Sequence, residues 1–459
     1  MQTFDTICAL STAPGMGAIA LIRISGSNAF DIVSQLGKKD LRNAASHSAH
    51  FARIRKKDDR ILDEVVITLF DDNKSFTGEK TAEIACHGST FIQQEILKLV
   101  LSKGCRMAEP GEVTMRAFLN GKMDLSQAEA VADLISSQSS KAHEIAMNQM
   151  RGGFSKELSE LREKLINFAS LVELELDFAE EDVEFADRKE LLALVTEVLA
   201  YVRRLIKSFD LGNVIKNGVP VAIVGAPNTG KSTLLNQLLG EERAIVSNIA
   251  GTTRDVIEET LNIDGILFRL IDTAGIREHA EEIEAIGIER SHQKIVQAKV
   301  VLLLSDFSAP GSSFQEIEAW SEQLKTDFPE KHLFVLANKM DIEGNEAQAI
   351  KWNSSVSLIK LSAKSGEGVS DLKTALLKAV EGDFNSGQET IVSNVRHLEA
   401  LNKTEESLVK ALFGLETNVT GDFVAMDIRQ AMFELGTITA DISTEDLLGN
   451  IFSKFCIGK

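Results

Sequence analysis

The sequence predicts an α/β plus all-α chain: an N-terminal α/β domain, then a helical domain in two pieces with a second α/β domain inserted between them. Three observations predict it. Residues 220 to about 379 alternate short β-branched runs with helical stretches, the pattern of a parallel sheet covered by helices. On both sides, over 126–208 and 397–455, apolar residues recur every three to four positions, the period of an amphipathic helix. Ahead of about residue 120 stand short apolar runs bounded by glycine, with one helical stretch among them. Domain termini often lie close together, so the simplest arrangement inserts the second α/β block into the helical one.

Taken in order, Ala18 to Ser25 reads as a strand between Gly17 and Gly26, Val65 to Phe70 as a second, and Ala82 to Ala85 as a third. Ser89 to Ser102 has helical spacing with Ser89 at the N-cap position, and Pro110-Gly111 marks a turn. The run Arg53, Arg55, Lys56, Lys57 and Arg60 encloses Asp58 and Asp59, and reads as a solvated hairpin face. From Ser126 to about Ser208 three or so long helices follow. Between Glu173 and Asp187 stand eight acids and no Lys or Arg; with no loop glycine or ligand spacing, this reads as a solvated helix end rather than a cation site. Lys216-Asn217-Gly218-Val219-Pro220 marks a domain boundary. Ile257 to Ile263 and Ile266 to Ile271 flank Asp264-Gly265, a hairpin signal. Val300 to Leu304, Leu333 to Leu336 and Leu358 to Leu361 are further buried strands. Gly382 to Gly387 is a polar linker, after which His397 to Leu412, Phe423 to Leu435 and Asp446 to Phe455 read as helices.

Composition narrows the class. A chain of 459 residues suggests two to four domains. No apolar run approaches the about 18–20 residues of a membrane helix. Met1-Gln2-Thr3-Phe4-Asp5 has no charged n-region and no apolar h-region, so the expectation is a cytoplasmic protein without a signal peptide or membrane span. The four cysteines, Cys8, Cys86, Cys105 and Cys456, show no metal-pair spacing and read as reduced thiols. A net charge of −19 is a poor match for a polyanion, so any RNA contact must use a local patch or a partner.

The chemistry gathers in the inserted block. Gly225-Ala226-Pro227-Asn228-Thr229-Gly230-Lys231-Ser232 fits G-x-x-x-x-G-K-[ST] between an apolar run, Val221 to Val224, and a helical stretch from Thr233. Glycines let backbone N–H groups curl around phosphate oxygens, and the helix N-terminus adds positive potential. Lys231 can reach the β and γ phosphates and Ser232 can ligate Mg²⁺. Gly251-Thr252-Thr253-Arg254-Asp255 offers a threonine for the Mg²⁺ shell. Asp272-Thr273-Ala274-Gly275 suits a water-mediated Mg²⁺ contact through Asp272 and a γ-phosphate contact through the Gly275 N–H. In Asn338-Lys339-Met340-Asp341 the Asp341 carboxylate can accept from guanine N1–H and its exocyclic amine; adenine would leave it unpaired. Ser362-Ala363-Lys364 suits contact with the guanine oxygen. In this order the motifs predict a Ras-like P-loop GTPase domain. Ile276 stands where Ras-like enzymes place a water-orienting glutamine, and isoleucine cannot orient water. Glu278, Glu281, Glu282 and Glu284 follow, and spacing does not choose among them. No arginine finger is assignable. The Asn228 carbonyl oxygen could hold a monovalent cation that supplies the missing charge.

With these motifs the chain resembles the MnmE family, also called TrmE, the bacterial and organellar tRNA-modification GTPases. The resemblance rests on the phosphate loop with Asn228, on Ile249 to Asp255, and on the terminal Phe455-Cys456-Ile457-Gly458-Lys459. It extends to Asp5-Thr6-Ile7, Arg23-Ile24-Ser25-Gly26, Phe76-Thr77-Gly78-Glu79 and Arg116-Ala117-Phe118-Leu119-Asn120, and so spans the chain. It implies a tetrahydrofolate-binding and dimerisation domain over 1–121, a helical domain over 122–215 and 381–459, and the GTPase domain over 216–380. It implies a homodimer joined to MnmG, a flavin- and NADH-dependent protein, in a heterotetramer. That assembly adds an aminomethyl or carboxymethylaminomethyl group to C5 of the wobble uridine of certain tRNAs. The one-carbon donor is a tetrahydrofolate derivative, in its 5,10-methylene or 5-formyl form.

Site residues carry over by position. K⁺ falls to Asn228, Ser247, Ile249 and Thr252, standing in for an arginine finger as GTPase domains pair; Ser247 departs mildly, since threonine is also seen. Mg²⁺ falls to Ser232 and Thr253. Glu284, twelve residues after Asp272, matches the catalytic glutamate, alongside Lys231 and Gly275. GTP contacts add Thr229, Gly230, Thr233, Asn248, Ala250, Gly251, Thr273 and Ala274, and Arg254, Asp255 and Arg277 match switch residues. Folate falls to Arg23, Glu83, Lys122 and Lys459. The residues themselves leave Arg23 and Glu83 open: each is a charge in an apolar strand that needs either a ligand or an ion pair within the core. Cys456 has no neighbouring His or carboxylate and is not read as an essential nucleophile. His87 reads as structural. The alternative class is a ribosome-assembly GTPase of the Era or Der type. Against it, the chain has one phosphate loop where Der-like proteins carry two, and no Gly-x-x-Gly loop follows residue 380. A third reading is a purely regulatory switch in which the folate positions are accidental.

Overall fold

The computed structural model describes residues 5–177, 188–242, 259–271, 292–306, 314–342, 352–384, 390–417, 419–440, 445–453, 455 and 458. The chain divides into two compact units, one of residues 1–132, 148–195 and 406–459, the other of 133–147 and 196–405.

The first unit holds a six-stranded sheet in the order β3-β4-β5-β2-β1-β6. Its strands are β1 (Ile7–Leu10), β2 (Ile19–Ser25), β3 (Ser48–Arg55), β4 (Ile61–Phe70), β5 (Thr81–His87) and β6 (Arg106–Met107). Period-2 alternation explains the strands: Ala20, Ile22 and Ile24 on β2 and Val65, Ile67 and Leu69 on β4 are all buried. They pack under α1 (Ala29–Gly37) and α2 (Thr90–Leu101) through Phe30, Ile32, Val33, Ile96 and Val100. The other face is more open. There Phe51 lies opposite Val66, Val66 opposite Ala85, and Ala85 opposite Leu21, an apolar row across four strands. Phe51 remains 57% exposed and Val66 43%.

Helices complete this unit. In α6 (Gly153–Asp177) Leu158, Leu161, Leu165 and Phe168 are buried, and in α12 (Gly421–Thr439) Val424, Ile428, Ala431, Leu435 and Ile438. Both series step by three and four residues, so each helix presents one apolar stripe, and the two helices pack together. Burying each such leucine contributes about 1.5–3 kcal/mol. Helix α3 (Glu112–Leu119) starts at Gly111, whose φ is +69° and where a Cβ would lie 2.3 Å from the Phe452 carbonyl oxygen of α13 (Glu445–Phe452). Only glycine fits there.

The second unit holds a sheet in the order β12-β11-β10-β7-β9-β8. Its strands are β7 (Val219–Val224), β8 (Glu259–Ile263), β9 (Ile266–Leu270), β10 (Val300–Asp306), β11 (His332–Asn338) and β12 (Ser357–Lys360). All neighbours are parallel except β8 and β9. Parallel strands buried on both faces must be apolar throughout, which is why Val300 to Leu304 reads as an unbroken run. Helices α8 (Lys231–Glu242) and α10 (Val369–Phe384) lie on one side and α9 (Phe314–Asp327) on the other. The β8–β9 turn has φ of +48° at Asp264 and +82° at Gly265, the two left-handed residues of a type I′ turn.

Several expectations shift. Among the described residues the helical run holds four helices where three or so were expected: α4 (Leu125–Ser136), α5 (Ser140–Met150), α6 and α7 (Arg188–Asn217). Helix α7 continues to Asn217, and Gly218 at φ +83° turns the chain straight into β7, so one residue rather than a turn-rich segment joins helix to strand. Helix α10 carries on through the start of the expected 382–387 linker, and 385–389 lie outside the described residues. Helix α11 (Val395–Glu416) follows. Ser89 sits at the N-cap of α2 but its side chain makes no capping bond. The strands β1, β3 and β6 and the helices α1 and α3 escaped the sequence reading, because short or mixed runs carry little periodic signal. The acidic side chains of 173–187 are not described.

Candidate functional site

The carboxyl ends of β7, β11 and β12 carry the described nucleotide motifs, as a doubly wound sheet requires. The phosphate loop leaves β7 at Gly225, where a Cβ would lie 2.2 Å from the Leu304 carbonyl oxygen. Asn228 holds φ +61° at the exposed loop tip, a left-handed conformation that asparagine tolerates better than most residues. Gly230, φ +99°, gives way to α8 at Lys231, so the helix N-terminus opens on the loop. The Thr229 hydroxyl donates to Ala226 O at 2.9 Å, which fixes the loop's curl. Lys231 Nζ donates to Gly225 O at 2.9 Å and Ala226 O at 2.8 Å. Burial, and then the charge of Lys294, pulls the Lys231 ammonium below the ordinary lysine range. Ser232 and Thr233 lie exposed on the first turn of α8.

One side chain ties three motifs together. Asn338, 2% exposed, donates from Nδ2 to Thr229 O at 2.7 Å, and its Oδ1 accepts the Ala363 N–H at 2.9 Å. A Cβ on Gly230 would lie 2.3 Å from that Nδ2, so the loop glycine makes room for the asparagine. Asp341 is exposed, and its Oδ1 accepts the Ser362 hydroxyl at 2.8 Å. Met340 N–H donates to Leu361 O at 3.2 Å, so Asn338 to Asp341 and Ser362 to Lys364 form one cradle. Lys364 is exposed beside it. The spacing of these motifs pointed to guanine contacts; it gave no sign that Asn338 also braces the phosphate loop. Ser247 to Asp255, Asp272 to Gly275, Arg277, Glu284, Cys456 and Lys459 lie outside the described residues.

In the first unit, Arg23 and Glu83 are opposite each other on β2 and β5. Arg23 Nε and Nη2 donate to Glu83 Oε1 at 3.0 and 2.8 Å. The two side chains stay 20% and 19% exposed, on the open side of the sheet. Arg23 lies over the Phe76 ring at 5.9 Å. Lys122 Nζ donates to Asn73 O at 2.9 Å, and its Cγ would come within 3.3 Å of a Cβ on Gly78. Arg23 and Lys122 therefore flank the segment 76–78. The C-terminal Gly458, φ +89°, packs against Leu10 O, and its carbonyl accepts the Ser11 hydroxyl at 3.2 Å. Leu10 follows Ala9, which pairs with Arg23. The chain end thus reaches the strand pair that carries Arg23, which no local signal foretells.

The remaining N-terminal motifs meet in an ionic network built on two buried side chains, Arg116 and Glu112. The Arg116 side chain, 3% exposed, donates to Asp5 O and Oδ1 at 2.9 and 2.7 Å, to Glu79 at 3.1 Å and to Glu112 Oε1 at 2.9 Å. Arg106 pairs with Asp5 and with Glu112. Ser25 Oγ donates to Glu79 Oε2 at 2.9 Å, and Asn120 Nδ2 to Thr77 O at 2.7 Å. Burial pushes the Asp5 and Glu112 carboxyls up, but hydrogen bonds from Arg106 and Arg116 outweigh it and hold both below the usual range. Elsewhere in this unit, His87 Nδ1 lies 2.6 Å from Asp63 Oδ1, and Asp63 Oδ2 accepts the His87 N–H at 2.9 Å. In the basic run Arg53 pairs with Glu64, and Arg60 with Asp58, across and within the β3–β4 hairpin.

A small concavity of the second unit is lined by Asp133, Ser136, Lys216 and Ser393, with Lys216 Nζ 2.7 Å from Asp133. It shares no residue with the nucleotide motifs, whose chemistry and hydrogen bonding locate the site better than concavity does.

Two family profiles match: "GTP-binding protein TrmE N-terminus" over residues 6–122, and "MnmE helical domain" over residues 125–456. A Flavobacterium psychrophilum protein named tRNA modification GTPase MnmE is 54% identical, covering 99% of this chain and 99% of its own. The protein of that name from Cytophaga hutchinsonii is 53% identical over 99% of this chain and 98% of its own, and that from Bacteroides thetaiotaomicron 49% over 99% and 99%. Among solved structures, the G domain of the T. maritima FeoB iron transporter overlaps 35% of this chain and 98% of its own at 24% identity and a TM-score of 0.24, too loosely to bear on the fold.

Proposed function

This chain belongs to the MnmE family of tRNA modification GTPases, and from that we propose that it hydrolyses GTP and acts in the modification of the wobble uridine of certain tRNAs. The observation that carries the GTPase reading is the Asn338 clasp. One buried amide holds the phosphate loop at Thr229 and the guanine cradle at Ala363, so phosphate and base contacts lie at a fixed separation.

The chain's own groups divide the work. Backbone N–H groups from Gly225 to Ser232 and the α8 N-terminus receive the phosphates, and Lys231 offsets their charge. Lys231 sits in surroundings that disfavour its ammonium; an adjacent phosphate restores it, so binding strengthens a contact the loop has already aimed. Asp341, steadied by Ser362, selects guanine over adenine. Ser232 at the first turn of α8 fits a Mg²⁺ ligand, with Thr253 as its second. Asn228, left-handed at the loop tip, fits a K⁺ ligand, with Ser247, Ile249 and Thr252. When bound, these cations supply positive charge where phosphoryl-transfer charge develops, as an arginine finger does elsewhere. Glu284 is the proposed group acting on the attacking water, and Gly275 the γ-phosphate contact.

For the rest of the function the support is coarser. Arg23 and Glu83 offer a fork of donors and a carboxylate on the open face of the first sheet. With Lys122 and Lys459 they are the proposed tetrahydrofolate contacts, Arg and Lys for ligand carboxylates and Glu for pterin donors. The apolar row Phe51–Val66–Ala85–Leu21 on that face supports a homodimer through residues 1–121. With a net charge of −19, MnmG is the proposed source of much of the tRNA-binding surface.

The test is steady-state GTP turnover in K⁺ against Na⁺, for wild type and Asn228→Ala. Strong K⁺ stimulation that vanishes in the variant supports the cation mechanism. Equal rates in both salts leave the guanine site standing and sink the K⁺ assignment.

A further inference from the structure

We propose that Asp306, which belongs to no nucleotide motif, is a positioning residue for guanine selectivity, acting through Lys339. The inference rests on the guanine reading of Asp341 given above.

Asp306 closes β10 and lies opposite Asn338, the last residue of β11, in the parallel register. Its side chain is 11% exposed, and its Oδ2 lies 2.5 Å from Lys339 Nζ. Lys339 must turn back over the strand end to make that contact, and its φ is +62°. A left-handed lysine has no side-chain hydrogen bond to its own backbone to favour that conformation, unlike Asn or Asp, so it persists where neighbours hold it. Two residues on, Asp341 depends on that turn for its direction: Ile342 N–H donates to Lys339 O at 3.1 Å across it.

Each charged or polar side chain of Asn338-Lys339-Met340-Asp341 is thus tied to a different neighbour. Asn338 holds the phosphate loop, Asp341 holds Ser362, and Lys339 holds β10 through Asp306. The first two ties join motif to motif. The third fixes the whole turn to the sheet, the most rigid element at hand. Charge-assisted bonds are of the strong kind, and the geometry of this one, not only its strength, sets where Asp341 aims.

The experiment compares wild type and Asp306→Asn in the full chain, titrated with GDP, IDP and ADP. IDP keeps the N1–H but lacks the 2-amino group that Asp341 also accepts. Loss of a charge-assisted tie predicts GDP affinity down about tenfold. IDP affinity should fall by a smaller factor, so the GDP-to-IDP ratio drops, whatever the fall in the thermal midpoint without nucleotide. Unchanged GDP affinity, or equal loss for GDP and IDP, overturns the proposal; the latter would place the effect on the phosphates. Should Asp306→Asn not fold, Asp306→Glu takes its place: it keeps the charge and displaces it by one methylene. A lower ratio then supports the positioning role and an unchanged one refutes it. Failure of the underlying reading is seen separately, as wild type binding ADP as tightly as GDP.

Discussion

Replacing Asn338 by alanine should unhinge the nucleotide site and lower stability together. The side chain serves Thr229 O at 2.7 Å and the Ala363 N–H at 2.9 Å. Thr229 and Ala363 are 5% and 3% exposed, so water does not readily replace the lost partner. Each orphaned buried backbone group costs about 1–3 kcal/mol, which gives about 4 kcal/mol for the pair. In a unit of this size 1 kcal/mol moves the midpoint by about 2–4 °C, so the expected drop is about 8–16 °C. Asn338→Asp separates the two ties. It keeps an acceptor for Ala363 but turns an acceptor toward Thr229 O, so it should lose the phosphate-loop bond while sparing the other. The assay is calorimetry with and without GDP, following the transition that GDP raises, together with GDP affinity. A midpoint within about 2 °C of wild type and unchanged GDP affinity in Asn338→Ala would refute the clasp.

Two further outcomes concern the first unit. Arg116→Met removes the cation shared by Asp5, Glu79 and Glu112 and leaves Arg106 alone among them; a cost of about 3–5 kcal/mol is expected by denaturant unfolding, and a loss below about 1 kcal/mol would show the network to be dispensable. Asp5 and Glu112 are held below the usual carboxyl range, so in acid the unfolded chain binds more protons than the folded one. Their contribution is complete above the unfolded values of about 4 and is lost as pH falls through the folded ones. Stability should therefore hold from pH 7 to about pH 5 and fall below about pH 4, and Glu112→Gln should flatten that fall; an identical acid slope in the variant would place the acid lability elsewhere.

The sequence by itself determined a good deal. Short β-branched runs and their spacing specified the parallel sheet of the second unit, since strands buried on both faces must be apolar throughout. Asp264-Gly265 announced the β8–β9 hairpin because left-handed φ is cheap only for such residues. The order of the nucleotide motifs announced a GTPase domain, and the loop with Asn228, residues 249–255 and the end Phe455–Lys459 announced the family now shown by relatives of about half-identical sequence. Other features belong to tertiary structure alone. Asp5, Glu79, Glu112 and Arg116 are scattered over more than a hundred positions, and each looks like an ordinary surface charge until the fold gathers them around the buried Arg116 guanidinium. Arg23 and Glu83 were each seen to need a partner, and only the register of β2 against β5 decided that they meet one another. Asn338 as a brace, Asp306 as an anchor and Gly458 beside β1 were likewise invisible. Periodicity and motifs record what a residue does with its near neighbours in sequence. Hydrogen bonds between strand ends and across a hundred residues depend on register and chain reversal, which local propensity does not encode.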